Sequence, residues 1–430
     1  MAHVVVVGAG VIGLCAADAL QRRGWAVTLL DAGAPGAGAS QGNAGWIVPS
    51  LSGPVPAPGL RGTSLRWLLR PDSPLVIRPR FDLGFARWLV AFWRNCNATA
   101  YQAGLEATLA LNARTMALLD VYQAEGIDAE MRADGLLMAY RAEAALARDL
   151  AETETLTRWS YPAPEVLQGE ELRSCEPALN DVVWGGLLLP AERHLRPEKL
   201  TAALAERLTE RGATILAHTP VTGIEHARGR VSAVQTPAGR IVADAVLIAA
   251  GAWTPVVAAL AGVRLSIEAG KGYSLDYTPP PVALRRLLYL HEERVALTPF
   301  AGTLRLSGTM ELSGRNARVR PVRVAALTRA AAPYLRDWPA DLPPVPAWSG
   351  LRPLTPDGLP IIGMAPEFAN LAIASGHAML GVTLAPATGE TVAALLTDGE
   401  SPKLLRPFAA ERFAASRSGP RWRRSRQSPR

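Results

Sequence analysis

The sequence predicts an α/β domain with a parallel sheet, interleaved with an α+β domain built on a mostly antiparallel sheet. Three observations carry this. The chain opens on a β-branched run, His3–Val7, of the kind that suits a strand covered on both faces, and a glycine-rich turn and a helix follow it. Comparable α/β patterns return after Arg196 and again from Ser349 to about residue 397. Between them, from about 265 to 345, the pattern is strand-rich. A domain assembled from separated stretches accounts for the alternation. The expected division is 1–85, 165–265 and 346–415 for the first domain, and 86–164 and 266–345 for the second, with 416–430 a basic disordered tail.

Each element has its own signal. LCAADALQRR, residues 14–23, reads as a helix stopped by Gly24. AVTLL, residues 26–30, is the next strand and ends at Asp31, which completes one βαβ-type unit. Residues 33–62 are rich in Gly, Pro, Ala and Ser and read as loop. The stretch 65–101 interleaves Trp67, Phe81, Phe85, Trp88, Phe92 and Trp93 with arginines. Residues 102–150 read as amphipathic helix. Pro197 suits a first helical position, and that helix runs to about Gly212. Short strands follow at 214–218, 221–226, 230–236 and 240–251, and another lies at 304–312. The segment 374–397 reads as strand, Gly-rich turn and helix.

Composition excludes several classes. The 430 residues are 49% hydrophobic and 19% charged, which rules out a disordered chain. The net charge of +7 is a property of the tail: residues 417–430 hold six Arg and no acid, so the rest of the chain carries +1. A basic nucleic-acid-binding face is therefore not expected. Cys15, Cys96 and Cys175 form no CxxC pair, and the six His are scattered. Neither a disulfide framework nor a metal site is expected. No run of 18 apolar residues occurs, and the N-terminal apolar run is short, unflanked by basic residues and broken by Gly8 and Gly10. These features predict a cytoplasmic protein.

The chemistry-bearing motifs start with Gly8-Ala9-Gly10-Val11-Ile12-Gly13, between a strand and a helix. Gly8 permits the tight turn, Gly10 a close approach of backbone to a pyrophosphate, and Gly13 close helix–strand packing. The helix N-terminus supplies free N–H groups and positive dipole. Asp31, followed by Ala32, is placed to accept hydrogen bonds from ribose hydroxyls. This is a Rossmann-like dinucleotide signature, shared by NAD and FAD proteins. ADAVLIAAGAWT, residues 243–254, ends in Ala250-Gly251 before Trp253, as in a strand that returns to the dinucleotide in two-dinucleotide-domain flavoproteins. An ordinary βα turn reads the same way. Arg352 sits among Pro346, Pro353, Pro356 and Pro360, a stiff setting suited to bidentate capture of a carboxylate, although by itself an ordinary surface arginine reads the same way. The turn around Gly376, His377, Gly381, Val382 and Thr383 precedes a helix whose N-terminus, near 383–387, could stabilise a reduced flavin. His377 is a candidate polar group beside the flavin, and as a lone histidine it reads equally as a structural one.

With these motifs on the page, the sequence resembles the glycine/D-amino-acid oxidase superfamily of flavoproteins, and within it the bacterial D-amino-acid dehydrogenases. The resemblance rests on GAGVIG (8–13), SQGNAG (40–45), PLVIRPRFD (74–82), RWLVAFWRNCN (87–97), KGYSL (271–275), GTMELSG (308–314), GLRPLTPDGLPIIG (350–363) and GHAMLGVT (376–383). It spans the chain to about residue 396. It implies non-covalent FAD on an FAD-binding domain, with the adenine end on the first βαβ unit. It also implies contacts from Ser40, Gln41, Ala44, Gly45 and Ile47, with Val221 near the adenosine. Arg352 matches the arginine that binds the substrate carboxylate, and Tyr273 is a candidate for the substrate wall. The implied reaction is oxidative deamination of D-amino acids to 2-oxo acids and ammonia, by hydride transfer from Cα to flavin N5. Electrons would pass to a quinone, another redox carrier or O2. Another amine, such as D-proline, hydroxyproline, glycine or sarcosine, is the alternative substrate. The loop GNAGWIVPS (42–50) departs from many relatives, and its Trp46 is large enough to narrow the site. The Trp/Arg-rich stretch 65–95 is a candidate peripheral contact with the inner face of a membrane, and a helix packed on the protein itself reads the same way.

Overall fold

The computed structural model describes residues 1–60, 75–399 and 403–413. The tail 416–430, residues 414–415 and the part of the Trp/Arg-rich stretch from 65 to 74 lie outside the described residues.

The opening run His3–Val7 becomes the central strand of a six-stranded sheet, and its valines are buried. The sheet order is Ile361–Met364, Leu371–Ser375, Ala245–Ile248, His3–Val7, Ala26–Leu30, Thr214–Leu216. All pairs are parallel except the edge pair Ile361–Met364 with Leu371–Ser375. Parallel strands need covering on both faces, which is why these runs are almost wholly apolar. On one face the helix Val11–Arg22 lies against the helix Gly381–Asp398. A Cβ at Gly389 would stand 2.6 Å from the Cys15 carbonyl, so the two helices meet backbone to backbone. A three-stranded antiparallel meander, Gly223–Ala227, Arg230–Thr236 and Gly239–Val242, covers part of the other face.

The second sheet has nine strands in the order Ala347–Leu354, Glu268–Tyr277, Thr303–Leu312, Val295–Phe300, Leu287–Leu290, Leu136–Tyr140, Gly185–Leu189, Glu165–Leu167, with Leu75–Ile77 also paired to Thr303–Leu312. Its pairs are antiparallel apart from Leu287–Leu290 with Leu136–Tyr140 and Thr303–Leu312 with Leu75–Ile77. The helix Pro321–Ala331 covers one face. The other looks toward the parallel sheet.

The structure departs from the expected element map in three places. Leu136–Tyr140, expected to be helical, is a fully buried strand. A short apolar run fits a helix or a buried strand equally well, and the preceding Gly135, at φ +78°, is the turn that decides it. The expected first-domain stretches 1–85, 165–265 and 346–415 give Leu75–Ile77, Glu165–Leu167, Gly185–Leu189 and Ala347–Leu354 to the nine-stranded sheet. Conversely, the helices Ala98–Asn112 and Thr115–Ala124, expected in the second domain, pack on Gly381–Asp398. Finally, that last helix begins at Gly381, upstream of the expected start near 383–387.

Candidate functional site

The glycine-rich turn is dictated by close backbone approaches. Gly8 has φ +112°, and a Cβ there would stand 2.5 Å from the Ala249 carbonyl oxygen. At Gly13 a Cβ would stand 1.9 Å from the Gly8 carbonyl oxygen. Both obstacles are backbone, so neither can swing aside. Asp31 holds the turn in place: its carboxylate accepts from the Ala9 N–H at 2.7 Å and the Gly33 N–H at 2.8 Å. Ser40 Oγ accepts from the Val11 N–H at 3.0 Å, which draws the loop over the helix start. Gly10 and Leu380, the N-cap residues of the helices Val11–Arg22 and Gly381–Asp398, provide no side-chain cap.

A cavity of about 1410 Å³ opens between the two sheets. Single small-molecule sites run to about 1,000 Å³, so this space accommodates a dinucleotide together with a second small molecule. Many of the sequence-predicted residues meet here: Gly8, Gly10, Val11, Ile12, Asp31, Ala32, Ser40, Ala44, Val221, Ala250, Gly251, Trp253, Gly381 and Val382, together with Arg352, Tyr273 and His377. Others stand behind the wall. Ala9 and Gly13 are inside the turn, Gln41 is exposed, and Ile47 is core. Gly45, at φ +75°, lies against the Leu195 carbonyl, and Gly376, at φ +84°, against Thr355. Thr383 acts indirectly: its hydroxyl donates to the Trp46 carbonyl at 3.0 Å and accepts from the Val48 N–H at 3.2 Å. That ties the loop Trp46–Val48 to the start of the last helix. Trp46 itself lines the cavity, donates to Thr298 Oγ1 at 2.9 Å and stands edge-on to Tyr289 at 5.8 Å.

Arg352 sits in the wall formed by the nine-stranded sheet. Its Nη1 donates to the Thr309 carbonyl at 2.7 Å, and among the described residues no carboxylate pairs with it. Its remaining surface faces the cavity rather than bulk water, and burial pushes its guanidinium down to about 10. A cation in that setting is an electrostatic site for an anion. Tyr273 presents a different face. Its side chain packs in the core with Leu275 and Leu327, and its hydroxyl donates to Glu311 Oε2 at 2.9 Å. The residue of that strand that meets Arg352 is Gly272. His377 is buried, with Nε2 3.1 Å from Thr388 Oγ1, and burial pulls its imidazole down to about 3. It is neutral at any ordinary pH.

Sequence reasoning passed over Gly272, Ser307, Thr309 and Glu192. A glycine inside a strand is a known sign of close approach, so Gly272 carried a signal. Ser307 is buried, lines the cavity and has a hydroxyl without a partner among the described residues. Nothing local marks it. Glu192 is wholly buried beside the cavity-lining Ser50, whose N–H and hydroxyl both donate to its Oε1; burial, offset in part by those bonds, moves its carboxyl up to about 7. Among the described residues no group of three His, Cys, Asp or Glu could hold a metal ion, and no helix is long and apolar enough to cross a membrane.

Comparison with known proteins places this geometry. The family model described as DAO, FAD dependent oxidoreductase, matches residues 3–395. A protein of Rhizorhabdus wittichii named D-amino acid dehydrogenase is 35% identical over 401 residues, covering 91% of this chain and 95% of that protein. One of the same name from Methylobacterium radiotolerans is 35% identical over 430 residues, covering 96% and 100%. The crystal structure of glycine oxidase from Geobacillus kaustophilus superposes with a TM-score of 0.75 at 26% identity, covering 96% of this chain and 100% of that one.

Proposed function

Because the chain belongs to the DAO family of FAD dependent oxidoreductases and acts on an amino donor, we propose that it oxidatively deaminates D-amino acids to 2-oxo acids and ammonia. The observation that carries this reading is Arg352, a cation without an acidic partner among the described residues, set in the wall of a cavity large enough for a dinucleotide and a small substrate.

The residues fit FAD. Gly8 and Gly13 let the turn fold tightly where a Cβ would strike backbone, Gly10 leaves the start of the first helix open toward the cavity, two helix N-termini without side-chain caps reach that cavity, and Asp31 lines it. On this reading the Gly8–Gly13 turn, Asp31 and Ala32 hold the adenosine and pyrophosphate, with Val221. Ser40, Ala44, Ala250, Gly251, Trp253, Gly381 and Val382 line the rest, while Ala9, Gly45, Ile47, Gly376 and Thr383 support them from behind and Gln41 is solvent-exposed. When bound, FAD supplies the acceptor for the hydride that leaves Cα.

The protein's own part is binding and orientation. Arg352 takes the substrate carboxylate in two parallel hydrogen bonds. Trp46, Met138, Leu187 and Tyr289 form an apolar wall that fixes the side chain and excludes water. The substrate binds as the neutral free amine, its proton left to solvent water, because only a neutral nitrogen can push electrons toward Cα as the hydride leaves, and water then hydrolyses the resulting imine to the 2-oxo acid and ammonia. His377, neutral and tied to Thr388, holds the turn before the last helix rather than taking that proton.

The electron acceptor on this reading is a quinone or another carrier. The described part of 65–95 supports a peripheral membrane contact: Phe81, Leu83 and Val90 are exposed beside Arg87 and Arg94, while Phe85, Trp88 and Phe92 of the same helix, Leu83–Asn95, are buried. Flotation with anionic liposomes checks this, and a protein left in the soluble fraction refutes it. A substrate panel with an artificial electron acceptor tests the main reading. Turnover of D- but not L-amino acids is expected. Turnover confined to D-proline, hydroxyproline, glycine or sarcosine would move the chain to the other amine-oxidising reading.

A further inference from the structure

The strands Ala347–Leu354, Glu268–Tyr277 and Thr303–Leu312 are neighbours, and their register breaks at one point. Lys271 pairs with Glu311 and Tyr273 pairs with Gly308, so Gly272 alone faces both Thr309 and Met310. This is a β-bulge, and a bulge re-aims the groups beside it. Thr309 pays for it with φ +66°, a left-handed conformation that β-branched residues avoid. The turned carbonyl of Thr309 is the group that accepts Arg352 Nη1 at 2.7 Å. Between them lies Gly272. A Cβ there would stand 2.2–2.3 Å from Nη1, Cζ and Nη2 of Arg352, so the guanidinium occupies the place of the missing side chain.

The opposite face of the same strands pins the bulge. Lys271 and Glu311, both buried, form an ion pair at 3.4 Å. Tyr273 donates to Glu311 at 2.9 Å, and Lys271 Nζ donates to Asn316 Oδ1 at 3.0 Å and the Arg318 carbonyl at 2.9 Å. Burial pushes the Glu311 carboxyl up, but the bonds from Tyr273 and the Lys271 ammonium hold it below the usual range, so it stays ionised. Residues 271, 273 and 311 therefore cannot slip by one position without stranding buried charge.

We propose that Gly272 and the backbone carbonyl of residue 309 position the carboxylate-binding arginine: the bulge carbonyl holds Nη1, the missing side chain at 272 houses the guanidinium, and Nε and Nη2 are left for substrate. A backbone carbonyl orients the cation without neutralising it, as a carboxylate partner would. The inference rests on the reading of Arg352 given above and adds what makes that arginine competent.

The test compares propanoate with propanamide, titrated into the FAD-loaded protein and read by the shift of the flavin absorbance. Wild type should prefer the carboxylate by about tenfold or more, the worth of a charge-assisted hydrogen bond. Gly272→Ala should bring the two ligands within about threefold of one another while FAD stays bound. Thr309→Gly should keep the preference and raise the Tm, because glycine adopts φ +66° freely and leaves the carbonyl in place. Arg352→Ala is the control on the underlying reading. If it abolishes the preference and Gly272→Ala does not, the positioning role is overturned and the carboxylate site stands. If Arg352→Ala keeps the preference, the carboxylate site falls and the positioning role with it. Should Gly272→Ala fail to fold, Thr309→Pro takes its place: a ring that fixes φ near −65° cannot hold +66°, so the carbonyl turns away and the two ligands should come within about threefold, and a preference kept at the wild-type level in that variant overturns the proposal.

Discussion

Replacing Arg352 by Lys keeps one positive charge and removes the fork. In the native wall the guanidinium spends Nη1 on the Thr309 carbonyl and has donors left over for a ligand. An ammonium on a flexible stem meets a carboxylate as a point charge and cannot form two parallel bonds. The variant should therefore lose one charge-assisted hydrogen bond, roughly 1.5–3 kcal/mol. At 1.4 kcal/mol per factor of ten, KM should rise about 10- to 150-fold. The carboxylate is held alike before and during Cα–H cleavage, so kcat should change far less than KM. A pH signature accompanies this. Burial disfavours the Arg352 cation, but a guanidinium keeps its proton across the accessible range, so wild-type carboxylate binding should not fall through loss of this charge up to pH 10. A lysine in the same dry wall starts from a lower value and should lose its proton, and its substrate, at lower pH. Steady-state turnover of a D-amino acid with a dye acceptor, from pH 7 to 10, reads both effects. Unchanged KM and kcat across that range would refute the role of Arg352.

Gly13→Ala places a methyl group where the Gly8 carbonyl oxygen stands, so it should abolish flavin binding or folding of the first βαβ unit; yellow protein of native Tm would contradict this. Glu192 binds its proton more tightly folded than unfolded, since burial moves its carboxyl up to about 7. Its contribution to stability is complete below about 4.5 and is lost as pH rises through 7, an effect of up to roughly 3 kcal/mol at 1.36 kcal/mol per unit. Glu192→Gln keeps an acceptor for Ser50, so thermal melts should show this variant losing less stability than wild type between pH 5 and 8. Removal of residues 417–430 should leave turnover intact, and a substantial loss would give the basic tail a role that its chemistry does not suggest.

The first βαβ unit was legible because its constraints are local. Gly8, Gly13 and Asp31 act within a few residues of one another, and each residue type has one physical reason to be there. The proline-rich context of Arg352 does not by itself separate a ligand-binding arginine from a surface one; the resemblance singled it out, and its place in the cavity wall is what the structure adds. The wall that serves Arg352 was not, because Gly272, Thr309 and Arg352 come from three strands whose neighbourhood is set by sheet order and a bulge. No spacing rule marks a carbonyl turned by a left-handed threonine. Tyr273 shows the same limit from the other side. Its strand was read as site-forming, and alternation along that strand puts Gly272 toward Arg352 and the Tyr273 hydroxyl toward Glu311. The strand Leu136–Tyr140 was masked by helical composition on both sides.

The central claim is an FAD-dependent dehydrogenation of D-amino acids in the cavity between the two sheets. The most direct test is the anaerobic absorbance spectrum of the purified protein, before and after a mixture of D-amino acids. A flavin spectrum that bleaches with the D-mixture and not with the L-mixture is expected, and admitting air then tests O2 as acceptor. A flavin spectrum that the D-mixture leaves unchanged would contradict the substrate reading, and a protein that neither carries nor takes up FAD would contradict the account as a whole.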